Sequence, residues 1–118
     1  MVSLLRLVIW RGLKILTMRN RIRKIAAGAA IALGTAHLIF GLVVYRALTP
    51  EHIWFAGAGV AMICVGFANW QGPARIQSII MIAYMIPMAI IMPLPQVFLG
   101  LAIFLTLLIS GGEKTAYA

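Results

Sequence analysis

Residues 25–45 read IAAGAAIALGTAHLIFGLVVY, a run without one side chain that is charged at neutral pH. A helix over this run, at roughly 1.5 Å rise per residue, is about 30 Å long, which is the thickness of a bilayer's hydrocarbon core. The run therefore reads as a first transmembrane helix. Its flanks differ sharply: Arg6, Arg11, Lys14, Arg19, Arg21, Arg23 and Lys24 precede it, and Arg46 alone follows it closely.

The rest of the 118 residues agrees with a lipid solvent. Hydrophobic residues make up 64% and charged residues 10%, with mean hydropathy +1.05, against about 25% charged in a typical soluble domain. Such a chain cannot cover a water-facing surface. A secreted disulfide scaffold, a disordered tail and an ordinary cytosolic enzyme are excluded on this ground. The net charge of +8 is concentrated at one end, as a membrane-orientation signal is, and not spread as a nucleic-acid face would be.

Beyond Tyr45 the signals for further helices follow in order. Thr49 suits an N-cap, Pro50 a first helical position and Glu51 the positive helix N-terminus, which predicts a second helix over 51–70. Gln71-Gly72-Pro73 is a turn, and the third apolar run, 76–92, carries Pro87, a residue that removes a backbone donor and tends to kink a helix. Pro93-Leu94-Pro95 ends it, and a fourth run occupies 96–110. The fold class expected is all-α and integral to the membrane: four transmembrane helices in two antiparallel hairpins, with a tail over 111–118. A three-span form, with the last two runs as a re-entrant hairpin, is the alternative. With the N-terminus in the cytoplasm, the seven residues before the first span, Arg75 and Lys114 fall inside and Arg46 outside, so both termini are expected to be cytoplasmic in a bacterial inner membrane.

Residues 1–24 carry too many charges to span. Leu4, Leu5, Val8, Ile9, Ile15 and Leu16 share one side of a helical projection, and Arg6, Lys14, Arg21 and Lys24 share another. This pattern predicts a basic amphipathic helix lying in the interface, apolar side in the lipid and cations near anionic headgroups.

Small residues recur at helical spacing. Ala27, Ala30, Gly34, His37 and Gly41 share a face of the first span, and Gly59, Met62, Gly66 and Asn69 share one of the second. Close backbone approach supplies helix association in lipid, so Gly34, Gly41, Gly59 and Gly66 are expected to pack helices within the chain or against another subunit. Trp10, Trp54 and Trp70 read as interface anchors.

His37 is the candidate cofactor-binding residue, because a polar side chain in mid-span is costly and marks a site. An imidazole there suits a heme or chlorophyll metal, a proton relay or a quinone carbonyl; the competing role is a hydrogen bond that fixes helix packing. His52 lies about 12 Å further along the helical rise, so a two-histidine metal centre is not expected. No metal-ligand cluster and no catalytic set is legible. Glu51 lies at the very start of the second span and no Asp or Glu lies inside one, which opposes a proton-coupled exporter. Cys64, without a basic neighbour, reads as apolar filler. Met81, Met85, Met88 and Met92 form a rough stripe suited to adaptable packing, a flat cofactor or copper(I).

The stretch carrying His37, Gly41, Leu48, Pro50, Trp54, Gly57-Ala58-Gly59, Gly66 and Asn69 resembles the first hairpin of small four-helix bacterial inner-membrane proteins of the DoxX-like group. The resemblance covers under half the chain and implies an association with membrane redox complexes, with no catalytic residue carried over. The expected function is that of a non-catalytic accessory or structural subunit of an energy-transducing membrane complex, photosynthetic or respiratory. Its partners would be lipids and other integral membrane subunits, with no nucleic acid. Cofactor contacts would be with a partner's bacteriochlorophyll, carotenoid, quinone or heme. Leu33, four residues before His37, departs from the small residue usual before a pigment-binding histidine. A free-standing oligomeric carrier of small molecules or lipid is the alternative.

Overall fold

The structure, a computed structural model, describes residues 1–111. Four helices follow one another: α1 (Val2–Val44), α2 (Pro50–Gln71), α3 (Arg75–Ile91) and α4 (Pro95–Gly111). The described residues hold no strand. The punctuation of the sequence explains each boundary. Thr49 caps α2 by accepting a hydrogen bond from the His52 backbone N–H at 3.3 Å, with Pro50 at the first position. Gly72-Pro73 stops α2, and the two prolines at 93 and 95 separate α3 from α4. Helix α3 continues through Pro87 to Ile91.

One expectation needs correction. Residues 1–24 are not a separate interfacial element: α1 runs unbroken for 43 residues. The junction, Arg19-Asn20-Arg21-Ile22-Arg23-Lys24, contains neither Gly nor Pro, so nothing in the backbone ends the helix where the charge pattern changes. Among the described residues α1 and α2 are long and apolar enough to cross a membrane by length and composition, and α3 and α4 are shorter apolar helices of 17 residues each. The expected tail lies outside the described residues except for Gly111.

Helix α1 packs closely on α2 and also on α4, and α3 packs on α4, whereas α2 and α3 scarcely touch. The result is two hairpins joined through α1 and α4, with an open seam between α2 and α3. Ile53, Trp54, Gly57, Ala61, Ile80 and Tyr84 line that seam. All of residues 1–18 are exposed, and α1 buries residues only from Arg23 onward. At roughly 1.5 Å per residue the first 18 residues form an arm about 27 Å long beyond the bundle, which accounts for the 69 Å length of the molecule against 26 and 24 Å across.

The interior is made of Ala26, Ala27, Ala30, Met62, Val65, Met81, Met85, Phe104 and Leu107. Most large aliphatic and aromatic side chains, including Ile39, Phe40, Val43, Trp54, Phe67, Ile80, Ile90, Phe98 and Ile109, face outward. Alanines and methionines supply most of the interior around the fully buried Phe104 and Leu107, and many bulky apolar side chains coat the outside, an arrangement that water does not reward.

Candidate functional site

The glycines of the first hairpin lie at its contact. A Cβ on Gly34 would stand 2.7 Å from the Gly59 carbonyl oxygen, and one on Gly59 would stand 3.0 Å from the Gly34 oxygen, so the two backbones approach reciprocally. Gly66 faces the Ala27 carbonyl at 2.9 Å, and Gly41 faces the Phe55 ring at 2.9 Å, by the same measure. At these crossings any side chain would separate the helices. Gly57, in contrast, meets nothing within 4 Å and opens onto the α2–α3 seam.

A buried polar cluster joins three helices where the arm leaves the bundle. Asn69, fully buried near the end of α2, donates from Nδ2 to the Val65 carbonyl (2.9 Å) and to Ser78 Oγ on α3 (3.1 Å). Its Oδ1 accepts the Ala74 backbone N–H at 3.2 Å, which ties down the turn. Ser78 Oγ donates to the Ala74 carbonyl (2.9 Å). From α1, Arg23 donates through Nε to the Asn69 carbonyl (2.9 Å) and through its guanidinium NH1 to Asn20 Oδ1 (2.9 Å). Arg19 reaches the Ile109 carbonyl of α4 at 3.1 Å. The Arg23 guanidinium thus meets a carbonyl in the last turn of α2, where the macrodipole is negative and the carbonyls lack intrahelical donors.

Sequence reasoning missed this cluster. It placed Asn69 on a small-residue face and treated Arg23 as an orientation signal. The available signal was an amide side chain just before Gly72-Pro73, a position from which Asn satisfies the backbone of a turn.

At the other end, His37 stacks on Phe55 with ring centroids 3.6 Å apart and an interplanar angle of 16°. Tyr45 stacks on His52 at 5.2 Å, and the Phe55 ring lies 5.6 Å from Tyr45 and 6.1 Å from Phe40. The loop after α1 and the first turns of α2 are thereby closed by aromatic contact. Among the described residues, His37 Nε2 and His52 Nδ1 are buried without a hydrogen-bond partner. His37 also borders two adjoining cavities. The inner one, about 70 Å³, is lined from all four helices by Leu33, Met62, Met85, Met88 and Gln96 among others; the outer one, about 350 Å³, adds Ala36, Phe40 and Phe55.

The tryptophans stand apart from both loci. Trp10 is exposed on the arm with the Lys14 ammonium 5.0 Å from its ring, and Trp70 is exposed near the bundle end with Lys24 at 5.8 Å. Trp54 is exposed along the seam. Of the methionine stripe, Met81 and Met85 are buried, whereas Met92 is exposed. Cys64 is a free thiol and exposed. Among the described residues no three His, Cys, Asp or Glu side chains gather as metal ligands.

No protein-family description, curated protein or solved structure matches this chain.

Proposed function

We propose that this chain is a non-catalytic accessory subunit of a larger energy-transducing complex in a bacterial inner membrane, respiratory or photosynthetic. It would strengthen assembly through helix packing and contacts with lipid and with neighbouring cofactors. In this reading all four helices cross the bilayer. The 17-residue α3 and α4, about 25 Å long, require little tilt or a locally thinned membrane. The arm end, with Arg19, Arg21, Arg23, Lys24 and Arg75, faces the cytoplasm.

The observation that carries the proposal is the placement of apolar bulk on the outside of the bundle and along the arm. Helices coated with exposed Ile, Leu, Phe and Trp suit lipid, and an arm with such a coat and no acidic residue over 1–50 suits an apolar, acid-rimmed surface of a neighbouring subunit.

Mild detergent extraction from native membranes tests the proposal. Comigration with a large cofactor-bearing assembly, seen by native electrophoresis and an absorption spectrum, supports it. A self-contained dimer or tetramer without cofactor overturns it in favour of a carrier. Modification of the arm by an impermeant reagent in intact cells would overturn the orientation.

A further inference from the structure

We propose that the paired cavities beside His37 bind an apolar, ring-bearing molecule with a ketone-type acceptor oxygen, quinones included. The proposal rests on the membrane reading only for the route by which such a molecule arrives.

The geometry supplies both halves of a recognition site. The walls are apolar and adaptable: Leu33, Met62, Met85 and Met88 surround the inner space. Thioethers deform around a flat ring and make favourable sulfur–aromatic contacts. Room for Met85 is built in, because a Cβ on Gly100 would stand 2.9 Å from the Met85 sulfur; α4 is left bare where that thioether lies. The outer space, about 350 Å³, falls in the range of small-molecule pockets, roughly 300–1,000 Å³.

Polar groups on this lining are few. His37 and Gln96 border both cavities, and Tyr84 borders the inner one. The Gln96 amide and the Tyr84 hydroxyl are hydrogen-bond donors, and so is the His37 Nε2 position in one neutral tautomer. That nitrogen is buried and has no protein partner among the described residues. A buried polar atom left unpaired is costly, and a ligand oxygen would satisfy it. Stacking on Phe55 holds the imidazole at the wall. Tyr84 also borders the open seam between α2 and α3, so the inner cavity adjoins an apolar approach from the lipid side.

The test is photolabelling of the purified full chain in detergent with 4-decylbenzophenone, which is itself a ring-bearing ketone and inserts into nearby C–H bonds on illumination. Labelled peptides are mapped by mass spectrometry. The expected result is saturable labelling at Leu33, Met62, Met85 or Met88, suppressed by a decyl-substituted quinone and not by decylbenzene, which lacks the oxygen. The double variant His37→Leu/Gln96→Leu should weaken the apparent affinity about tenfold or more, the equivalent of roughly one good hydrogen bond. Ala36→Trp, which fills the outer space and spares the polar groups, should abolish saturation with the helical circular dichroism unchanged. Equal competition by decylbenzene, labelling scattered over the outward faces, or unaltered affinity in both variants would overturn the proposal. Because labelling is read in detergent, its outcome is separate from that of the membrane reading, which fails instead if alkaline carbonate strips the chain from membranes into water.

Discussion

Replacing Asn69 by leucine tests whether the buried polar cluster, and not apolar packing, joins the two hairpins. Leucine is close to asparagine in volume, so little cavity is created and the effect isolates hydrogen bonding. The Arg23 bond is kept, because it is accepted by the Asn69 backbone carbonyl. Two links beyond α2 vanish, the donation to Ser78 Oγ at 3.1 Å and the acceptance from the Ala74 N–H at 3.2 Å, together with the donation to the Val65 carbonyl within α2 at 2.9 Å. The second is the larger loss, since Ala74 is buried and its N–H would be left unpaired, at roughly 1–3 kcal/mol. The first is an interhelical side-chain bond, worth about 0.6 kcal/mol on average in a membrane protein. The variant should therefore lose about 2–3 kcal/mol. Ser78→Ala removes the smaller link and the Ser78 Oγ donation to the Ala74 carbonyl, which keeps the Ser78 N–H as a donor, leaves Asn69 Nδ2 bonded to the Val65 carbonyl, and should cost about 1 kcal/mol or less. Both are measured by reversible unfolding in mixed micelles of increasing SDS content, followed by circular dichroism. Equal losses for the two variants, or an Asn69→Leu protein as stable as the parent, would show that the cluster does not hold the turn.

Gly34→Ala should destabilise the same unfolding transition by roughly 1–3 kcal/mol, because the new Cβ meets the Gly59 carbonyl oxygen at 2.7 Å and the Ile63 nitrogen at 3.1 Å, backbone atoms that cannot swing aside, as well as the Ile63 side chain. Gly57→Ala, where the Cβ meets nothing, should be neutral or stabilising by up to about 1 kcal/mol through helix propensity; an equal loss at both sites would refute the assigned α1–α2 crossing. Arg23→Met should cost about 1.5–3 kcal/mol as the bonds to Asn69 and Asn20 are lost, and Arg23→Lys should recover little, since an ammonium cannot donate to both acceptors in the fork geometry. Thr49→Ala should cost about 1 kcal/mol by uncapping α2, with Thr49→Ser near the parent value. Full rescue by lysine, or an alanine cap as stable as serine, would refute these two readings.

The helices themselves were legible because their boundaries are written in local chemistry. Thr49-Pro50, Gly72-Pro73 and the flanking Pro93 and Pro95 act on their own backbone within a few residues, and α2 starts at Pro50 in the structure. The continuity of α1 was not legible, because charge density says which solvent a segment prefers and nothing about whether its helix breaks. The Asn69 cluster depends on side chains from positions 20, 23, 69 and 78, and sequence separation hides that kind of convergence. His37 stood out as a lone polar residue in an apolar run, but Gln96, Tyr84 and Phe55 did not. Their relevance comes only from the way α1, α2, α3 and α4 surround one space.

The arm shows how these levels constrain one another. Leu5, Ile9 and Leu16 lie on the same helical stripe as Arg23, Ala27, Ala30, Gly34 and Gly41, with spacings of three, four and seven, and the last five are buried in the bundle. The face that packs inside the bundle therefore continues, uncovered, along the arm. To lie flat on a membrane surface the arm would have to turn away from the α1 axis near Arg19–Lys24. That is the segment held to α2 and α4 by Arg23 and Arg19, so a turn there would break helix and caps together. The arm extends a helix already nucleated in the bundle, but its apolar stripe is left uncovered. Under the proposed function, a neighbouring subunit whose surface continues the α2 and α4 ends along the same stripe would cover the arm without breaking an anchored bond.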